Sequence, residues 1–473
     1  MFGEQFDLET HAIMPATTGG GKSMKIVYDC KEHNLDDDPI ILVDAKESAY
    51  WHMLTYYARL PPNRPVIPIN PSSGTHSVPI RFFHPKKGAN VSAHASRVAE
   101  VILNALGMDG IANVPLYRKT VNMLMCYVAA SGKPIGQAME ALYFQNRHLA
   151  KEAAEMMPNQ KRRLDWLELY RKKSETQYND ATASTRLRLD PFLTIDGLHR
   201  TFGLSDGLSI QDAMEDGANI LVNLTPSDDF PQEACRIFGA VLTSELLSFS
   251  FKHARDPIPY FIYLDEVEMY ASPDLARALQ VGRGAGLRFT LSFHEDGELD
   301  PRLVSTIKKN CRIKFIGAGV TPEEAQAHVL QHHHFEVNLR KKKDDRFGIA
   351  NKQYPWMNDS VTTYPDGTQS ETWSSTFMSE PELMVTGQED YTLQEKLSML
   401  SSGLYLDLQH RQFRVEEPGR SYLFEVPIVE NYLHDPEKVL EFEHTRQTPN
   451  PIIDAELNQQ ESHARPRIKT PPR

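Results

Sequence analysis

Apolar and polar positions along the chain fall into two rhythms. Short unbroken apolar runs, each bounded by polar or turn residues, recur at His11–Met14, Ile40–Val43, Val66–Ile69, Ile220–Leu224, Tyr260–Leu264, Arg288–Phe293 and Ile313–Ile316. Runs of this kind read as strands buried on both faces of a parallel sheet. Between many of them the apolar spacing is helical, and the alternation predicts a doubly wound α/β sheet. One long interval breaks the series. From Ser92 to Asp216 the pattern is helical, as in SRVAEVILNALG and YRKTVNMLMCYVAA. It predicts an all-helical insertion, 92–216, that splits one α/β domain into halves at 1–91 and 217–335.

Past Leu330 the pattern weakens. LQHHHFEVNLRKKKDD leads into NDSVTTYPDGTQSETWSSTFMSE, whose Ser and Thr content predicts a polar linker over 336–390. A small accessory segment follows at 391–442, with a helix near Tyr391–Leu400 and strand-like runs in LYLDL and YLFEVPIV. The proline-rich residues 443–473 read as a disordered tail.

Composition narrows the classes. The chain has 473 residues, 40% of them hydrophobic, enough for sizeable cores. A net charge of −12 argues against a uniformly basic surface, yet leaves room for a local basic stripe inside a ring. The four cysteines, Cys30, Cys126, Cys235 and Cys311, form no CxxC pair, so neither a zinc site nor a disulfide framework is expected, in keeping with a reducing cytoplasm. No apolar run is read as reaching the ~20 residues of a membrane span, and the N-terminal residues lack the pattern of a signal peptide.

The stretch PATTGGGKSM, residues 15–24, follows the first apolar run and precedes a helical pattern. In that context a glycine-rich loop ending in Lys-Ser is a phosphate cradle, because successive backbone N–H groups and a helix N-terminus converge on phosphate oxygens. Thr17, Thr18, Gly19, Gly20, Gly21, Lys22, Ser23 and Met24 are the nucleotide-binding candidates. Lys22 is expected to reach the β- and γ-phosphates of ATP and Ser23 to coordinate Mg²⁺. Ala16 stands where the strict pattern has glycine, which requires a negative φ there.

A second element sits far downstream. The run Tyr260–Leu264 stops at Asp265-Glu266, an acidic strand end of the type that completes such a cradle. Asp265 is expected in the Mg²⁺ shell and Glu266 as general base toward the attacking water. Adjacent acids on a strand point to opposite faces, so the backbone must turn at the strand end if both are to face a nucleotide.

With these residues in place the chain resembles the HerA/FtsK-type motor ATPases, and most closely the soluble ATPase part of type IV secretion coupling proteins of the TraG/TraD kind. The similarity runs over most of Thr10 to about Ile316, and is weaker in the C-terminal segment. THAIMPATTGGGKS is similar to the family's entry strand and loop, and PIILVDAKES to its second strand, with Asp44 and Lys46 as its Asp-x-Lys. STRLRLDPFLTIDGLHRTFG and GANILVNLTPSD resemble the exit from the helical part. YFIYLDEVEMYASPDLARALQVGRGAGLRFTLSFHEDGEL resembles the acidic strand, an arginine-bearing helix end and a sensor strand. The resemblance implies a RecA-like P-loop sheet, a ring-forming homo-oligomer (a hexamer), DNA moved through its channel, and secretion or conjugation proteins as partners. It gives Arg283 the role of an arginine acting on a neighbouring subunit's site, with Arg277 and Arg288 as rivals. It gives His294 the sensor position, where the family usually has Gln. The family's membrane anchor has no counterpart here, which implies a cytoplasmic protein recruited to a membrane complex. The alternative is a regulatory or scaffolding P-loop ATPase with a protein client, in defence or plasmid maintenance. His328, His332, His333 and His334, and the basic run at 340–343, read as solvated element ends, while the basic runs at 161–163 and 171–173 stand as weak candidates for contact with nucleic-acid phosphates.

Overall fold

The structure is a computed structural model that describes residues 10–17, 19–73, 78–105, 115–294, 299–333, 342–365, 367–391, 393–417, 420–427 and 436–446. The chain parts into two compact units, Met1–Gly319 with Leu408–Arg473, and Val320–Asp407. The strands in chain order are β1 (His11–Pro15), β2 (Ile40–Asp44), β3 (Val66–Ile69), β4 (Asn219–Asn223), β5 (Tyr260–Leu264), β6 (Leu287–Phe293), β7 (Cys311–Ile316), β8 (Lys342–Thr363), β9 (Gln369–Tyr391), β10 (Gln412–Glu417) and β11 (Arg420–Glu425).

The first unit is built on a nine-stranded sheet in the order β11-β10-β7-β1-β6-β5-β2-β4-β3. The strands from β7 to β3 run parallel, and β10 lies antiparallel to both β7 and β11. Each predicted apolar run is one of the parallel strands. Successive side chains go to opposite faces, so the strands feed two cores. Ile13, Ile41, Val43, Ile262, Leu264 and Leu291 join one, with the long helix Gln232–Lys252 and the helices found between Val91 and Glu215. Ala12, Met14, Leu42, Tyr263, Ile313 and Phe315 join the other, with the helices Lys22–Leu35 and Ser48–Arg59. The helical stretch therefore shares its core with the sheet.

The helix Gln232–Lys252 differs from the sequence expectation that no run is long enough for a membrane span. By length and composition it could cross a bilayer, and 83% of its apolar window is buried in the fold. A helix packed between a sheet and other helices is apolar all round, which gives it the same composition as a span. Gly239 marks its closest approach: a Cβ there would lie 2.3 Å from the Tyr270 carbonyl oxygen.

His11 ties β1 to its neighbours. Its Nε2–H donates to the Leu279 carbonyl at 2.9 Å, and its Nδ1 accepts from the Phe289 N–H at 3.2 Å. Both ring nitrogens are committed in the neutral form, and burial lowers the imidazole from 6.5 to about 4. Between those values the unfolded chain binds a proton that the folded chain refuses, so this contribution to stability is lost as pH falls through the window. Wild type is expected to lose about 2–3 kcal/mol more than His11→Asn between neutral pH and about pH 4.5. Denaturant unfolding of both chains at the two pH values checks this; parallel losses would refute it.

The C-terminal residues depart from expectation in several ways. The segment 391–442 is divided between the two units rather than forming one. LYLDL lies mostly in a helical turn, Ser402–Leu406, that continues the helix Leu393–Ser401, and the strand before β11 is QFRVEE instead. Residues 443–446, expected in the tail, are the last turn of the helix Pro436–Arg446, and 447–473 lie outside the described residues. Buried Glu443 anchors that helix, accepting from Tyr50 Oη at 2.6 Å and Asn70 Nδ2 at 2.9 Å.

In the second unit, 342–391 form an antiparallel pair, β8 with β9, where a polar linker is expected. Strand pairing satisfies backbone groups whatever the side chains, and Pro365 and Gly367 supply turn residues. The Gly367 N–H closes that turn on the Tyr364 carbonyl at 3.0 Å. In the same unit His328 and His333 pack against the Tyr405 ring, with centroids 5.4 and 6.1 Å away.

Candidate functional site

Parallel strands bring their C-terminal ends to one edge of the sheet, and the order β1-β6-β5-β2 sets four loops side by side there. The glycine-rich loop leaves β1, His294 follows β6, Asp265 and Glu266 follow β5, and Asp44 and Lys46 end β2.

The loop keeps its shape despite Ala16. That residue is buried and not among those with positive φ, and room for its methyl comes from Gly317, where a Cβ would lie 2.6 Å from Ala16 Cβ. Gly19 and Gly21 take left-handed backbone, φ 81° and 95°, and Gly21 caps the helix Lys22–Leu35. Thr17 is tied to the Ala318 carbonyl through its Oγ1 at 3.1 Å. Thr18 lies outside the described residues. Met24 is half-buried and packs toward the second core.

Lys22 and Ser23 meet the acidic pair directly. Ser23 Oγ donates to Asp265 Oδ2 at 2.7 Å, while Ser292 Oγ donates to Asp265 Oδ1 and accepts the Glu266 N–H at 3.2 Å. Lys22 Nζ donates to the Ala16 carbonyl and to His294 Nδ1 at 2.9 Å, and sits 3.6 Å from Glu266 Oε1. Glu266 adopts left-handed backbone, φ 53°. This is the turn that lets two adjacent acids face one site, and strain of this kind clusters at functional positions. His294 Nε2 lies 2.7 Å from Glu266 Oε2, so with Nδ1 accepting from Lys22 the ring donates through Nε2–H.

Two further residues complete the cluster. Lys46 Nζ donates to Glu266 Oε1 at 2.6 Å and lies 3.1 Å from His294 Nε2. Its backbone N–H is held at 2.7 Å by the buried Asp44 carboxylate. Lys46 stands in the sequence only as part of the Asp-x-Lys motif. Glu268 carries no motif at all; its sole signal is its place two residues beyond Glu266. One carboxylate oxygen each from Glu266 and Glu268 and one ring nitrogen of His294 lie within 4.8 Å of one another.

Burial and charge set the protonation of these acids in opposite directions. Burial, with Asp265 nearby, raises Asp44 to about 6, and burial also raises Asp265. Burial and the neighbouring Glu266 push Glu268 up to about 8. Burial alone would raise Glu266 too, but the Lys46 hydrogen bond and the charges of Lys22 and Lys46 hold it below its usual value. Lys22 is lowered by burial, against the pull of Glu266 and Asp265. Glu266 is thus the acid kept ionised, with an acid that stays protonated near neutral pH beside it.

The donor set also fits magnesium. Ser23 Oγ and Asp265 Oδ2 are adjacent hard oxygens, the ligands that ion selects. Arg283 is not brought to this cluster. It lies exposed in the turn Gly282–Ala285 that precedes β6, at the opposite edge of the sheet from the loop. Arg288 donates to its carbonyl at 3.1 Å.

No protein-family model matches the sequence, and no curated protein matches it. Solved structures do. The chain is similar to the bacterial conjugative coupling protein TrwBdeltaN70 in its unbound monoclinic form, with a TM-score of 0.53 and 15% identity over 90% of this chain and 86% of that one. Plasmid coupling protein TrwB in complex with ADP and Mg²⁺ gives 0.54 and 14%, covering 89% and 86%. TrwB with the non-hydrolysable ATP analogue ADPNP gives 0.54 and 13% over the same shares. At these identities the likeness is one of fold, and the RecA-like α/β architecture is shared.

Proposed function

We propose that the protein is a P-loop ATPase that assembles as a ring, a hexamer, and uses hydrolysis to move DNA through its channel. The observation that carries the ATPase is the convergence of Lys22 and Ser23 on Asp265 and Glu266, with Ser23 Oγ 2.7 Å from Asp265 Oδ2 and Lys22 Nζ 3.6 Å from Glu266 Oε1. Support for the motor comes from the shared fold with conjugative coupling proteins.

In this reading the amides from Thr17 to Met24 enfold the phosphates of ATP, and Lys22 exchanges the Ala16 carbonyl for phosphate oxygens. Ser23 and Asp265 would hold Mg²⁺, which would supply positive charge to offset that of the phosphates. Glu266 accepts a proton from the attacking water, and Lys46 and His294 fix its carboxylate in place. Exposed Arg283 acts across the boundary between two copies, on the neighbour's nucleotide. DNA is gripped through its phosphates, without reading bases. The protein would work in the cytoplasm beside secretion or conjugation partners.

The test is ATP turnover by the purified chain with and without single- and double-stranded DNA, beside Lys22→Ala. Wild type is expected to hydrolyse ATP, to be stimulated by DNA, and to gain mass as a ring with nucleotide. Turnover no higher than that of Lys22→Ala would exclude an ATPase. Turnover indifferent to DNA, with no DNA bound, would exclude the translocase and favour a protein client.

A further inference from the structure

β10 runs antiparallel to β7, so the turn that feeds it arrives at the edge where the glycine-rich loop sits. The contact is close. His410 donates from Nδ1 to the Gly19 carbonyl. A Cβ on Gly21 would lie 3.1 Å from Arg411 Cα and 3.3 Å from Arg411 N, so the two backbones touch where a side chain would not fit. The turn is pinned by Gln412 N–H to the Gln409 carbonyl and by Val426 N–H to the Arg411 carbonyl, both at 2.9 Å.

Arg411 itself is held at φ 67°, a conformation that favours glycine. It is half-buried, and among the described residues its guanidinium makes no hydrogen bond or ion pair. The neighbouring ammonium groups of Lys22 and Lys46 are already engaged by Glu266. A strained backbone, an uncommitted cation and a phosphate cradle thus coincide. Strain at such a point calls for a functional reason, and a planar guanidinium is suited to phosphate oxygens.

We propose that Arg411 binds the nucleotide held by the loop of its own chain, its guanidinium engaging the phosphate chain of a nucleoside polyphosphate. This rests on the ATP site proposed above and adds a contact from a segment almost 400 residues downstream of the loop. The C-terminal strands then have a chemical role as well as a structural one: they deliver a cation to the side of the cradle opposite Glu266.

The experiment is calorimetric titration of wild type and Arg411→Gly with ATP, ADP and adenosine in the presence of magnesium. Glycine adopts the native φ freely, so the variant removes the charge and keeps the turn. Its melting temperature without nucleotide should equal or exceed that of wild type. The expected result is at least a tenfold weaker Kd for ATP and ADP, with adenosine unaffected. Arg411→Asn, which also tolerates left-handed backbone, should behave alike and guards against a turn collapsed by glycine. ATP binding equal to wild type in both variants would overturn the proposal, as would an equal loss for adenosine. Failure of wild type to bind ATP would instead remove the proposed ATP site and this contact with it.

Discussion

Glu266→Gln is expected to lower the kcat for ATP by about 10²–10⁴-fold while leaving ATP binding intact. Glutamine has the same shape and keeps an oxygen to accept from Lys46 Nζ, now at 2.6 Å from Oε1. What disappears is the carboxylate that takes the proton, and among the described residues no other ionised acid is so placed. Asp265 is committed to Ser23 and Ser292, and Glu268 is pushed up to about 8, so near neutral pH it carries a proton already. Lys22 retains the Ala16 carbonyl and His294 as partners, so the cradle survives the loss of charge. Single-turnover hydrolysis together with a nucleotide Kd separates the two effects. A fall of less than tenfold would place the base elsewhere, whereas loss of binding without loss of chemistry would make Glu266 a binding residue.

Gly239→Val should damage the fold severely, costing more than about 3 kcal/mol. The added Cβ would stand 2.3 Å from the Tyr270 carbonyl oxygen and 2.8 Å from Tyr270 Cβ. Backbone cannot rotate aside as a side chain can, so either the helix Gln232–Lys252 or the turn after Glu266 must shift. Tyr270 Oη donates to the Asp265 carbonyl at 3.0 Å, so a shift of that turn reaches the acidic pair. Chemical denaturation should therefore show a lower midpoint, and ATP turnover should fall in the fraction that folds. Gly284→Ala is the matched control, since nothing lies within 4 Å of a Cβ at that exposed position. Its stability should stay within about 0.5 kcal/mol of wild type. Equal behaviour of the two variants would mean that the close approach carries no cost.

Which residues could be read beforehand follows from how local their physics is. The parallel strands announce themselves as apolar runs because both faces are covered, and the cradle announces itself because glycine, lysine and serine must stand at fixed spacing on one loop. Asp265 and Glu266 are marked by the abrupt end of a buried strand. Lys46 enters the cluster through sheet order, which sets β2 beside β5 and which its Asp-x-Lys motif does not state, while Glu268 is marked only by its place two residues beyond Glu266. Arg411 is further from view, since only the antiparallel return of β10 brings it to Gly21. The β8–β9 pair carries no such signal, because its sequence is rich in Ser, Thr and charged residues and strand pairing does not require an apolar run. The Gln232–Lys252 helix misled in the opposite sense: complete burial inside protein and burial inside lipid select the same side chains.

The placement of β1 between β6 and β7 has a consequence for how the chain comes off the ribosome. Its five residues emerge long before their partners: both hydrogen-bonding neighbours lie about 275 to 305 positions later. At roughly 5–20 residues per second, a nascent chain would carry that unpaired apolar strand for about 15–60 s before a partner existed. Chaperone occupancy of the first stretch during translation, and poor recovery of fragments that stop short of β7, are the cellular signatures of such a delay.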